Sequence, residues 1–285
     1  MKIDELKHFL SEHALQPNRA LGQNFLTDAS TIESILNAAM PDNKRVLEIG
    51  PGLGALTSAL CKRAHYVVAV EKDATMAELL RTLLPAENLT VVTQDFLETN
   101  VPALMGEGSY LAIGNLPYYV TTPIVEKLLL LLPDSMTLMV QTEAAARFFA
   151  RPGDRVYGPV AVLSQYYYTP TQVLDVPNTC FYPAPDVTST VVHLSRTEPR
   201  ELQPAVFFRF LRRIFAMRRK TLRNNLARPS GFDAALESLG LPAGVRAEAI
   251  DPALLSALCL LFVSSGKEGK EQLADPKFAE EVNPS

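Results

Sequence analysis

From Val46 onward the chain alternates short β-branched runs with stretches of helical spacing: Val46 to Ile49, Leu56 to Arg63, Tyr66 to Val70, Ala74 to Leu84, then Leu89 to Thr93. That rhythm predicts a parallel sheet with crossover helices. It continues with Tyr110 to Ile113, a helix expected to open at Thr122 as cap with Pro123 in its first position, and Met136 to Val140. Val173 to Val176 and the Val/Thr-rich Val187 to Leu194 bring the expected strands to seven, mostly parallel, with the sheet closing near residue 195.

The flanks follow other rules. Residues 1–40 start with an expected helix, break at Leu21-Gly22-Gln23-Asn24-Phe25-Leu26, and resume helical spacing at Ile32, Ile35 and Leu36 before Pro41 stops it. Arg196 to Pro204 keeps neither period and reads as a linker. Beyond it, Phe207, Phe210, Leu211, Ile214 and Phe215 form one apolar stripe with Arg209, Arg212 and Arg213 opposite, and a last helix is expected from Asp251 as cap and Pro252 to Gly266. The resulting division is a helical, ligand-covering segment (1–40), a Rossmann-like α/β domain (41–198), a small all-helical domain (199–266) and a polar, aperiodic tail (267–285) expected to be disordered.

At 285 residues and 47% hydrophobic, the chain has material for one large core and a smaller second one. A formal charge of -4 offers no global attraction to a polyanion, so such a partner has to meet a local patch. One exists: between Leu202 and Phe232 there are eight basic residues and no acid, namely Arg209, Arg212, Arg213, Arg218, Arg219, Lys220, Arg223 and Arg228. Arg147, Arg151 and Arg155 extend it if the fold brings them near. Cys61, Cys180 and Cys259 show no paired spacing and are expected to be buried and reduced; the four histidines show no ligand spacing, so no metal is expected. The amino terminus lacks the basic and apolar regions of a secretion signal, and the apolar runs Leu128 to Leu132 and Leu254 to Val263 fall short of the roughly 20 residues of a membrane span. A cytoplasmic protein without a membrane partner is the expectation.

Candidate chemistry sits at the strand ends. Glu48-Ile49-Gly50-Pro51-Gly52-Leu53-Gly54-Ala55 is a glycine-rich turn between the first strand and first helix, where missing β-carbons let a ligand approach the backbone. Gly50, Gly52 and Ala55 also fit the dinucleotide pattern, and Glu71 stands where a ribose-binding acid is expected, so glycine spacing leaves a nicotinamide cofactor and S-adenosylmethionine both open. Glu48 leans the choice: a carboxylate is poorly placed beside a pyrophosphate but tolerable beside a cationic sulfonium. Asp95, after the third strand, offers an acceptor for an adenine amino group.

Asn115-Leu116-Pro117-Tyr118 follows the fourth strand. An aromatic exocyclic amine is a poor nucleophile, and methylating it gathers positive charge on nitrogen. Acceptors aimed at its hydrogens stabilise that charge without a strong base. Asn115 offers its side-chain oxygen, Leu116 a backbone carbonyl restrained by Pro117, and Tyr118 a ring to stack on the base.

With these residues the chain resembles the ribosomal RNA adenine dimethyltransferases, and within them the bacterial small-subunit branch. The resemblance runs over roughly residues 18–265. It rests on Leu-Gly-Gln-Asn-Phe-Leu at 21–26, the glycine turn at 48–54, Glu71, Asp95, Asn-Leu-Pro-Tyr at 115–118, Phe-Tyr-Pro-Ala-Pro at 181–185 and Arg-Arg-Lys-Thr-Leu-Arg-Asn-Asn-Leu at 218–226. The resemblance implies a class I methyltransferase fold and dimethylation at N6 of two adjacent adenosines in the hairpin near the 3' end of small-subunit rRNA. It implies S-adenosylmethionine as donor, held by Asn24, Leu26, Gly50, Glu71, Asp95 and Asn115, with Gly52 of the turn beside them. Phe181 is implied as a cover over the target base opposite Tyr118. The implied partner is rRNA in a pre-ribosomal particle, met by Arg147, Arg218, Arg219, Lys220 and Arg223 and lying in a cleft between the domains, with a monomeric enzyme favoured. Asn18-Arg19-Ala20, where the family commonly has lysines, makes the flank less basic than expected. Rival readings are a large-subunit rRNA adenine methyltransferase conferring macrolide resistance, a non-catalytic assembly or transcription-factor relative, and a nicotinamide oxidoreductase.

Overall fold

The apolar runs form strands and the striped segments form helices in the computed structural model, which describes residues 3–18, 21–198, 200–226 and 231–264. Helix α1 (Ile3–Glu12), strand β1 (Phe25–Leu26) and α2 (Ala29–Ala39) come first. Next are β2 (Arg45–Ile49), α3 (Ala55–Cys61), β3 (Tyr66–Glu71), α4 (Ala74–Leu83), β4 (Leu89–Thr93), α5 (Val101–Met105), β5 (Leu111–Asn115), α6 (Thr121–Leu131) and β6 (Ser135–Gln141). They are followed by α7 (Thr142–Phe149), α8 (Pro159–Tyr167), β7 (Tyr168–Val176), β8 (Phe181–Tyr182) and β9 (Ser189–Arg196). The remaining helices are α9 (Pro204–Phe215), α10 (Leu222–Asn225), α11 (Phe232–Ser238) and α12 (Pro252–Ser264).

Among the described residues, seven strands make one sheet in the order β4-β3-β2-β5-β6-β9-β7. Strands β2 to β6 pair in parallel, and β9 runs antiparallel to β6. This is the expected class I α/β sheet. The chain leaves β2 for β3 and β4 on one side, then returns to β5 on the other, so β2 and β5 flank the point where strand order reverses. Open α/β sheets place ligands there, outside the carboxyl ends of the strands.

The described chain divides into two compact units. The first runs to Leu128 and includes Pro133–Ala145 and Pro170–Arg196; the second gathers Leu129–Leu132, Ala146–Thr169 and the residues from Thr197 on. In the second, α8 is buried on nearly every side, and the stripe of α9 is buried as patterned. Tyr157 donates its hydroxyl to the Ile250 carbonyl at 2.7 Å and Tyr167 to the Leu202 carbonyl at 2.8 Å, so two buried phenols are satisfied.

Several boundaries differ from expectation. Thr122 does not cap α6: a 3-10 turn over Tyr118–Val120 runs directly into a helix beginning at Thr121, whose hydroxyl donates to the Pro117 carbonyl at 3.0 Å. Pro123 therefore stands third, where its missing N–H is still one the first turn leaves unbonded. Strand β9 begins at Ser189, and Val187 is exposed. Asp251 caps α12 as expected, accepting from the Leu254 amide at 2.9 Å. The expected end at Gly266, the tail 267–285, Arg19 and Arg228 lie outside the described residues. Cys259 is buried, whereas Cys61 and Cys180 are only partly so, and all three are free thiols.

Candidate active site

The glycine turn leaves β2 with positive φ at Gly50, Gly52 and Gly54 (68°, 53° and 78°), a path that L side chains resist. At Gly54 space is also closed: a β-carbon would stand 2.4 Å from Leu80 Cδ1. The turn presents the Gly52 amide to Glu71 Oε2 at 3.0 Å, and the Asp73 amide reaches Glu71 Oε1 at 2.9 Å. Glu71 is thus fixed at the end of β3. Burial, the largest influence, raises its pKa against the pull of those backbone donors.

Glu48 is 1% exposed and its Oε2 finds no partner. Burial lifts its pKa to about 8, with Glu71 adding to the rise. The nearby Thr57 hydroxyl pulls the other way, although neither its Oγ nor Glu48 Oε2 forms a geometrically proper hydrogen bond. Asp95 behaves differently: burial raises its pKa, but Lys72 Nζ at 2.8 Å and the Leu97 amide at 2.8 Å outweigh it, and the net shift is downward. One wall therefore carries a carboxyl favouring its neutral form, another an ionised carboxylate.

Asn115 is the last residue of β5, opposite the turn, because Gly114 pairs with Ile49. Its amide nitrogen donates to the Asn24 carbonyl at 3.1 Å. A carbonyl only accepts, so the NH2 must face Asn24, and Oδ1 is left as the acceptor. The Leu116 amide donates to the Met139 carbonyl at 3.0 Å, anchoring the next residue to β6. Tyr118 bonds Ser189 Oγ at 2.8 Å; burial raises its pKa, so the phenol is neutral and is no base at neutral pH.

These groups line one cavity of about 460 Å³ in the first unit. Each expected cofactor residue, Asn24, Leu26, Gly50, Gly52, Glu71, Asp95 and Asn115, is on its wall, as are Leu116, Pro117 and Tyr118. The glycine-broken segment at 21–27 reaches the wall while Phe25 packs with Leu6, Leu10 and Met76 of α1 and α4. Phe181 is the exception. It is 1% exposed, pairs with Leu26 in the short β1–β8 ladder and belongs to the core with Val176 and Val191, so this placement does not support the base-covering role implied for it.

Three wall or near-wall residues were absent from the sequence reading. Lys72 pairs with Asp95, and Tyr119, 53% exposed, stands on the wall beside Tyr118. Gly114 is required by packing, since a β-carbon there would lie 2.8 Å from the Ile49 carbonyl oxygen. Only Gly114 left a readable signal, a small residue ending an apolar run before Asn115.

In the second unit, residues 216–220 are exposed. Acids outside the stretch answer part of the basic run: Arg218 pairs with Glu248 at 3.4 Å and Arg223 with Asp233 at 2.6 Å. The Glu248 carbonyl also accepts from the Gly153 amide at 2.8 Å, which brings the loop carrying Arg151 and Arg155 to the basic turn. Arg147 belongs to the same unit. Arg209, Arg212 and Arg213 are half-buried rather than on a solvated face, with Arg212 over the Phe208 ring at 5.7 Å.

Among the described residues no cluster suited to a metal and no helix long and apolar enough to cross a membrane is present. Residues 14–256 match the family model described as ribosomal RNA adenine dimethylase. Relatives named ribosomal RNA small subunit methyltransferase A include one from Geobacillus thermodenitrificans, 38% identical over 88% of this chain and 93% of its own. One from Moorella thermoacetica is 43% identical over 75% and 80%. Among solved structures, a dimethyladenosine transferase from Plasmodium falciparum superposes with TM-score 0.72 at 24% identity, covering 84% of this chain and 97% of that one. The 23S rRNA methyltransferase ErmE gives 0.64 at 28% identity, with 83% and 98% covered.

Proposed function

The chain belongs to the ribosomal RNA adenine dimethylase family, and on that premise we propose that it dimethylates N6 of two adjacent adenosines in the hairpin near the 3' end of 16S rRNA. The donor is S-adenosylmethionine, and the enzyme works as a cytoplasmic monomer on rRNA within a pre-ribosomal particle. The observation that carries the reading is the placement of Asn115, its Oδ1 left as an acceptor by the Asn24 carbonyl, in the same cavity as Gly50, Glu71 and Asp95.

The cavity fits this donor. Its volume falls within the roughly 300–1,000 Å³ of small-molecule sites. Glu48, neutral while its buried oxygen is orphaned, can ionise beside a cationic sulfonium but gains nothing from a pyrophosphate. Glu71 is positioned for ribose hydroxyls, Asp95 for the adenine side, and the Gly50 and Gly52 backbone for close approach. When bound, S-adenosylmethionine supplies an electrophilic methyl group. The chain's part is to orient the amine: Asn115 Oδ1 and the Leu116 carbonyl accept its hydrogens and stabilise the positive charge that grows on nitrogen, while Tyr118 supplies a neutral stacking face. No side chain is asked to remove a proton before attack. Arg219 and Lys220, with Arg147, Arg218 and Arg223, form the phosphate-binding surface.

The large-subunit reading shares this chemistry, but higher identity to small-subunit relatives supports the reading chosen. Labelled methyl transfer to unmodified small subunits and to large-subunit RNA, with the modified nucleotides mapped by mass spectrometry, tests it. Expected is N6,N6-dimethyladenosine at two neighbouring positions of the small-subunit RNA alone. Label on large-subunit RNA, or none on either, contradicts it.

A further inference from the structure

Asp95 opens a tight turn, its own carbonyl accepting from the Glu98 amide at 3.0 Å, and the carbonyls that follow it have an unusual partner. Those of Phe96, Leu97 and Thr99 all receive hydrogen bonds from a single ammonium, Lys127 Nζ, at 2.8, 2.8 and 2.7 Å. An ammonium has three N–H donors, and here each has one carbonyl. The same Nζ lies 5.1 Å from the centre of the Phe96 ring. Asp95 and Phe96 line the cavity, whereas Lys127 is not on its wall.

Lys127 stands on α6, the helix that grows out of the Asn115–Val120 wall and sends Ile124 to the cavity one turn earlier. One side chain therefore ties the helix of the methyl-accepting wall to the turn of the carboxylate wall. Charge agrees with geometry. Burial lowers the Lys127 pKa and Asp95 partly restores it, while the Lys127 charge helps keep Asp95 ionised. Removing the ammonium leaves Phe96 and Thr99 oxygens with the Thr99 and Val101 amides at 3.2 and 3.0 Å, but takes the charged donor from all three carbonyls. The Phe96 carbonyl is the one that matters most, because it shares its peptide plane with the Leu97 N–H, which orients Asp95 Oδ1 at 2.8 Å.

We propose that Lys127 is a positioning residue for the adenine half of the cofactor: by gripping three carbonyls from behind the wall, it sets the aim of Asp95 and the place of the Phe96 ring. This rests on reading the cavity as an S-adenosylmethionine site. It assigns cofactor selectivity to a lysine that is not on the cavity wall.

The test is calorimetry with S-adenosylmethionine, S-adenosylhomocysteine and S-inosylhomocysteine on the full chain and on Lys127→Met, which keeps the aliphatic stem and loses the donors. Methylation kinetics are run beside it. The wild type is expected to prefer the adenosyl over the inosyl compound by about tenfold or more, the worth of one hydrogen bond to a charged group. In Lys127→Met, affinity for both adenosyl compounds should fall about 10-fold to 100-fold, as for a small misplacement of a binding group. The adenosyl-to-inosyl preference should shrink to less than about threefold, and kcat at saturating cofactor should stay within about threefold of wild type.

A general loss of structure does not move the base preference selectively. Folded Lys127→Met with wild-type affinity and preference overturns the proposal, as does an equal loss for both bases. Lys127→Gln repeats the measurement if Lys127→Met does not fold, and if neither folds the residue serves global stability and the positioning claim is lost. Absence of S-adenosylmethionine binding by the wild type sinks the functional reading itself, and this inference with it.

Discussion

In the cavity, Glu71 accepts from two backbone amides and Asn115 is turned by a backbone carbonyl; in the basic turn, Arg218 and Arg223 are tethered to the acidic side chains of Glu248 and Asp233. The first arrangement is fixed by the fold before any ligand arrives. The second consists of charges on long side chains held by single acids, that of Arg218 exposed and that of Arg223 partly buried. Chemistry needs the former, because acceptors displaced by an ångström forfeit much of their effect. A polyanion surface tolerates the latter, since counterion release is insensitive to the exact position of a charge.

The sharpest way to break this comparison is at Asn115. Asn115→Ala should lower methyl transfer about 10²-fold to 10³-fold, the scale for losing one preorganised polar group at a developing charge. Single-turnover kinetics with saturating cofactor read this; near-normal transfer would mean the fixed amide is only a structural tie to Asn24. Reversing Arg218, Arg219 and Lys220 to Glu should weaken RNA binding by roughly 10-fold to 100-fold at moderate salt and reduce the slope of log affinity against log salt by about 2 to 3. An unchanged slope would move the RNA surface elsewhere.

A smaller effect separates Glu48 from the surface charges. Its folded pKa of about 8 lies above the ordinary carboxylate value of 4.5. Between those values the unfolded chain releases a proton that the folded chain keeps, so the contribution of Glu48 to stability is fully present below 4.5 and is lost as pH rises toward 8. Glu48→Gln should remove this fall from the pH profile of the melting temperature of the cofactor-free protein, leaving the part owed to Glu71, whose shift has the same sign, and the opposing part owed to His193, whose pKa burial lowers. An unaltered pH profile in Glu48→Gln would show that the carboxyl is not held neutral. Smallest of all, Asp233→Ala frees Arg223 from a half-exposed pair worth less than about 1 kcal/mol. RNA affinity should rise by no more than about threefold in a filter-binding assay, and a large loss would make the pair structural.

The central strands were legible as short, mainly apolar runs, whereas β7 was read only over Val173–Val176 because its first half, Tyr168 to Gln172, carries Thr, Pro and Gln at exposed or half-buried positions. Helix α8 was not, since Val160 to Ser164 are all buried and burial on every side erases the 3.6-residue period. Asn115, Gly50, Gly52, Glu71 and Asp95 were readable as strand-end residues, and the sheet order explains why they meet. The tie from Asn115 to Asn24 spans 91 residues and that from Lys127 to Phe96 spans 31, both to backbone atoms, which no residue type announces. The surroundings of Phe181 were hidden for a related reason: its pairing with Leu26 across the two-residue ladder and its place in the core follow from the fold. The acid-free stretch from Leu202 to Phe232 looked uncompensated only because Asp233 and Glu248 are brought to it by the fold.

Two acceptors on one amine make a demand that a single assay can examine. The first transfer begins with two N–H groups and the second with one, so Asn115 Oδ1 and the Leu116 carbonyl cannot both be satisfied by amine hydrogens in both steps. A time course of unmodified, monomethyl and dimethyl adenosine, followed by mass spectrometry for wild type and Asn115→Ala, gives the rate of each transfer. The two rates are expected to fall by unequal factors, about tenfold apart or more, the worth of one charge-assisted hydrogen bond. Slowing of both by the same factor would contradict the assignment of separate acceptors to Asn115 and Leu116.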